Sequence, residues 1–130
     1  MNWIRYRPLV YWVSTGLVIA ELVVGGVLDA VHFHTYRDLV VNLGYPTYFL
    51  TILGVWKIIG AAAILAPGWP VVKEWAYAGT FFVYTGAIIS HLTTGYALNE
   101  VGVLAVFTVL TAASWALRPA DRRVPRATLA

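Results

Sequence analysis

Apolar residues run almost unbroken through four stretches of the chain, at roughly 8–31, 47–66, 75–94 and 99–117. Each is close to the ~20 apolar residues that a helix needs to cross the hydrocarbon core of a bilayer. Prolines, glycines and charges collect between them. Pro8, Pro46, Pro70 and Pro119 stand near the ends, as expected of a residue tolerated in first turns and beyond last ones. Gly44 ahead of Tyr45-Pro46 predicts a turn, with Pro46 pre-setting the start of the second span. "APGWP", 66–70, predicts a tight link between the second and third spans, and Tyr36–Leu43 a short interfacial helix. The first stretch is longer than the apolar core of a secretory signal, so it is expected to be retained. The pattern predicts an all-α fold: an integral membrane four-helix bundle, up-down-up-down, over 1–117, followed by a basic tail, 118–130.

Composition agrees. Of 130 residues, 60% are hydrophobic and 12% charged, and mean hydropathy is +0.73. Soluble domains are about half apolar and roughly a quarter charged, and a soluble chain this short has too much surface to cover to carry such a fraction. Arg5, Arg7, Lys73, Arg118, Arg122, Arg123 and Arg126 share one side of a four-span chain, against Arg37 on the other. The excess of basic residues on cytoplasmic loops therefore predicts both termini in the cytoplasm. Trp3, Trp12, Trp69, Trp75 and Trp115 fall near that same interface. The tail "RPADRRVPRATLA" is expected to be disordered and close to anionic headgroups, with no nucleic-acid role. The chain has no cysteine, which excludes disulfides, thiolate ligands and thiol chemistry of its own.

Helical spacing sorts the polar residues inside the spans. Ser14, Glu21, Gly25 and His32 follow one stripe of the first span, with Asp29 adjacent. Tyr77, Thr80, Tyr84, Ala87 and His91 follow one of the third, and Gly54, Lys57 and Ala61 share a face of the second. Small and polar stripes mark the faces turned toward other helices. Lys57 lies about ten residues, or ~15 Å, from either end of its span. An ammonium there costs roughly 2.5–3.5 kcal/mol on insertion scales unless it meets a partner. Glu21 is the only acid read as deep in a span, at a similar depth, and the two are expected to pair.

That pair is either glue that fixes helix register or part of a working site. As a site it assigns acid–base chemistry to Glu21, Lys57, Tyr84 and His91, since an acid, a base and a phenol together can move protons. Thr80, Ser14, Asp29 and His32 would then contact a ligand. His32 and His34 could share a metal ion only on extended backbone, because i and i+2 point apart on a helix. The expectation is a polar rim and no metal.

Residues 43–95 carry a resemblance. "LGYP", "LGVWKIIGAAAIL" with its lysine, "KEWAYAG" and "TGAIISH" with its histidine resemble the DoxX-like family of small bacterial four-helix membrane proteins. The resemblance singles out Gly44, Tyr45, Pro46, Lys57, Glu74, Trp75, Ala76, Gly86 and His91. It implies a multi-pass protein of the bacterial inner (cytoplasmic) membrane, associated with membrane redox systems, for which a quinone is the candidate cofactor. The thiol mechanism of similarly built quinone-linked oxidoreductases does not transfer to a chain without cysteine.

Whether the chain is an enzyme stays open. The leading expectation is a module that holds a small lipophilic, quinone-like molecule beside Lys57, Tyr84 or His91, with a membrane redox partner or a second copy of itself as companion. Next come an acid–base isomerase or cyclase acting on a lipophilic substrate, and a non-catalytic assembly subunit. Four spans are few for a transporter.

Overall fold

The computed structural model describes residues 3–125. Among these the chain is all-α: α1 (Trp3–Ala30), α2 (His34–Asn42), α3 (Tyr48–Leu65), α4 (Pro70–Thr94) and α5 (Glu100–Ala116), then a 3₁₀ turn at Ala120–Arg122. The apolar runs mark the helices, but two helices overrun them. α1 begins five residues before Pro8 and passes through it, giving up one backbone donor. α4 begins at Pro70, the favoured first helical position, and takes in Lys73 and Glu74. Hydropathy reports where a helix is greasy, and backbone hydrogen bonding continues past that point.

Among the four long helices, α1 packs against α3 and α5, and α4 packs against the same two. α3 runs antiparallel to α1, with Gly54 beside Gly26 and Ala30, and Ile58 beside Gly26. α2 lies against α1 and is entered through His32 and Phe33. His32 adopts the left-handed region, φ 57°, which ends α1 sharply.

The surface and the interior are inverted relative to a water-soluble protein. Val24, Ile59, Phe82 and Val109, one from each long helix, are more than half exposed. Thr15, Asp29, Thr111 and Ser114 are buried. An apolar core of Val18, Leu22, Ala61, Ile64 and Tyr77 fills the space between these polar groups. α1 and α3 are both long and apolar enough to cross a membrane.

The expected disordered tail is ordered as far as it is described. Arg122 donates to the Ile64 carbonyl at 2.9 Å and to the Leu65 carbonyl at 3.3 Å, and lies over the Trp12 ring at 5.1 Å. Arg123 donates to the Arg118 carbonyl at 2.7 Å. The last carbonyls of α3 have no partner within their own helix, and Arg122 supplies one. Arg126 lies outside the described residues.

Candidate functional site

The site grows from a close crossing of α1 and α3. A Cβ placed on Gly54 would stand 2.5 Å from the Gly26 carbonyl oxygen and 2.6 Å from the Ala30 nitrogen, so neither helix has room for a side chain there. Next to Gly26, Gly25 leaves the space that charges occupy: a Cβ on it would meet Glu21 Oε1 at 2.8 Å and Lys57 Nζ at 3.4 Å.

Glu21, Gly25 and Asp29 recur every four residues on α1 and so share one face. Lys57 reaches across to that face from α3. Its Nζ lies 3.1 Å from Asp29 Oδ2 and 3.4 Å from Glu21 Oε1. One ammonium thus bridges two carboxylates. The side chains of Lys57 and Asp29 keep 11% and 5% of their exposure, and Glu21 keeps 24%. The Tyr84 hydroxyl on α4 donates to the other Glu21 oxygen, Oε2, and its ring stacks on Phe107 of α5 at 5.8 Å. α1, α3 and α4 therefore meet in a single charged cluster.

Tyr36 of α2 is half-buried within electrostatic reach of this cluster. Burial pushes its phenol up from the ordinary range. Lys57 opposes that shift, while Glu21, Asp29 and Glu100 add to it.

Beside the cluster runs a groove of about 420 Å³ between α3 and α4. Leu22, Trp56, Gly60, Gly79, Thr80 and Lys57 are among its lining residues. Trp56 and Trp75, 64% and 72% exposed, also line it, so it opens on the outer face of the pair. Lys57 is the charged group in an otherwise apolar trough. The Thr80 hydroxyl donates to the Ala76 carbonyl of its own helix at 2.7 Å, so its oxygen keeps acceptor capacity.

Of the residues singled out in the sequence, the structure brings together Glu21, Asp29, Lys57 and Tyr84, with Thr80 in the adjoining groove. Asp29, one residue before the end of α1, is more deeply buried in the protein than Glu21. α1 stays helical through Ala30, and α2 covers its end. Three others lie apart. His91 is buried, but its Nδ1 bonds the Tyr96 carbonyl at 2.7 Å beyond the end of α4. His32 Nε2 bonds Thr51 Oγ1 at 2.8 Å. Ser14 is buried on α1 seven residues before Glu21, about 10 Å along the axis. Among the described residues, no three His, Asp or Glu side chains are grouped to hold a metal ion.

The sequence profile of the DoxX-like family matches residues 13–114, well over half of the chain. The chain belongs to the DoxX-like family. No curated protein and no solved structure matches it. The matched stretch holds every member of the charged cluster and both walls of the groove, so this DoxX-like chain carries its candidate site inside the family's own segment.

Two features of this DoxX-like protein were not anticipated in its sequence. Thr15, Tyr77 and Ser114 form a second buried network, with Ser114 Oγ 2.5 Å from Thr15 Oγ1 and 2.7 Å from the Tyr77 hydroxyl. It ties α1, α4 and α5 together. Tyr77 on the polar stripe of the third span, and Thr and Ser inside apolar runs, are its trace in the sequence. Lys73, expected in a surface link, is 1% exposed and donates to the carbonyls of Ala63, Ala66 and Gly68. Beside it, Glu74 accepts from Arg118 at 2.7 Å and from Trp115 at 2.8 Å. This end of the molecule is a polar clamp that closes the α3–α4 turn.

Proposed function

We propose that this DoxX-like protein binds a small lipophilic, quinone-like molecule in the α3–α4 groove, as a module of a membrane redox system. The observation that carries the reading is Lys57. It lines an apolar groove that opens on the apolar exterior, while two carboxyl groups behind it hold its ammonium in place. An ammonium has three N–H donors. With one directed at Glu21 and the ammonium in ion contact with Asp29, donor capacity is left for a carbonyl oxygen in the groove. A greasy trough with one convergent polar group is the usual composition of a small-molecule site.

The same reading places the four long helices across the bacterial inner membrane, up-down-up-down, with both termini cytoplasmic. The exposed apolar side chains would face lipid. Arg5, Arg7, Lys73, Arg118, Arg122 and Arg123 would lie on the cytoplasmic side and Arg37 on the other. A ligand already dissolved in the bilayer would reach the groove sideways.

Native mass spectrometry of the full chain in mild detergent tests the binding. The wild type is expected to retain a small-molecule mass, and folded Lys57→Met to lose it. A bare wild-type chain that also takes up no added ubiquinone-type quinone would remove the reading. The α1–α3 crossing favours a second reading, in which Lys57 only fixes helix register. In that case Lys57→Met would change stability alone and the wild type would hold no ligand.

A further inference from the structure

The charged cluster does not balance. Glu21 and Asp29 face one ammonium, and among the described residues Lys57 is the basic group in ion contact with either. Among the described residues, the groups around them supply no second cation. Tyr84 from α4 and Tyr36 from α2 are phenols, and Glu100, which acts on Tyr36, is another acid. The His32 imidazole is engaged with Thr51. Two ionised carboxylates and one ammonium would leave a net negative charge in a buried site, where an uncompensated charge is far more costly than in water. A carboxyl group in that position neutralises itself by keeping its proton.

The two acids are not equivalent. Glu21 is the more exposed, and both of its oxygens receive a donor, one from Lys57 and one from Tyr84. Asp29 is 95% buried. Its ion contact with Lys57 apart, Oδ2 meets no hydrogen-bond donor. We infer that Asp29 is the neutral member, a carboxylic acid that stores one exchangeable proton one lysine side chain away from the groove. This rests on the membrane reading given above, and not on the identity of any ligand.

Infrared spectroscopy of the full chain in lipid nanodiscs at neutral pH reads this directly. The wild type is expected to show the carbonyl stretch of one protonated carboxylic acid, moving in heavy water and moving again when aspartate carboxyls carry carbon-13. The other described aspartates, Asp38 and Asp121, are exposed to solvent. Asp29→Asn should abolish the band. Glu21→Gln should abolish it too, because Asp29 then ionises opposite Lys57. Lys57→Met should keep it. A wild type without the band, or with a band that ignores aspartate labelling, would overturn the inference. The labelled wild type decides even if Asp29→Asn does not fold. Ligand retention in the mass spectrum is a separate readout, so a bare chain with the band intact would count against ligand binding alone.

Discussion

Gly26 and Gly54 bring α1 and α3 into backbone contact, with the Gly26 carbonyl oxygen only 2.5 Å from where a Gly54 Cβ would stand. The obstacle is backbone on both sides, so it cannot rotate away. Gly54→Ala must push the helices apart, and overpacking of this kind costs about 1–3 kcal/mol. Gly16→Ala is the control, since a Cβ there meets nothing within 4 Å. It should be neutral or stabilising by up to ~1 kcal/mol, as glycine inside a helix is itself unfavourable. Thermal unfolding in one detergent should separate the two variants in that order.

Lys57 serves two carboxyl groups, and among the described residues it is the basic group in contact with either. Lys57→Met should therefore destabilise by more than Glu21→Gln. Breaking a buried pair from the shared side costs about 3–5 kcal/mol. Glu21→Gln leaves the Asp29 contact at 3.1 Å in place. Equilibrium unfolding would contradict the shared arrangement if Glu21→Gln proved the more damaging.

Lys73 holds three carbonyls at the end of α3. Lys73→Met keeps much of the apolar stem and removes the donors. An unsatisfied buried acceptor costs about 1–3 kcal/mol. The expected outcome is local: faster proteolysis within 66–70 and little change in hydrogen exchange around Glu21. A uniform loss of protection across the chain would mean that the clamp is not a separate unit.

Gly60 lines the groove, and a Cβ there meets nothing within 4 Å. Gly60→Leu should fill the trough while leaving the charged cluster and the fold in place. Loss of retained ligand with unchanged unfolding temperature is the expected result. Full retention in a folded Gly60→Leu protein would place any ligand elsewhere.

Much of this was legible in the chain itself. The apolar runs located the long helices, because a helix that crosses lipid must be greasy over a fixed length. The stripe through Glu21 and Gly25 with Asp29 adjacent, and the shared face of Gly54 and Lys57, followed from 3.6 residues per turn. "LGVWKIIGAAAIL" and its neighbours were enough to suggest the family.

What the sequence left undecided was the height at which each face meets its partner. Periodicity fixes the direction of a side chain around its own axis and says nothing about the neighbouring helix. The glycine contact at Gly26 and Gly54 sets that register, and only then does Lys57 fall between two acids instead of opposite one. His91 followed the same stripe as Tyr84, yet it belongs to the end of α4 because the Tyr96 carbonyl lies there. Lys73 and Arg122 read as surface cations. They turn inward because the carbonyls closing α3 need donors, a demand that arises only once α3 ends beside them.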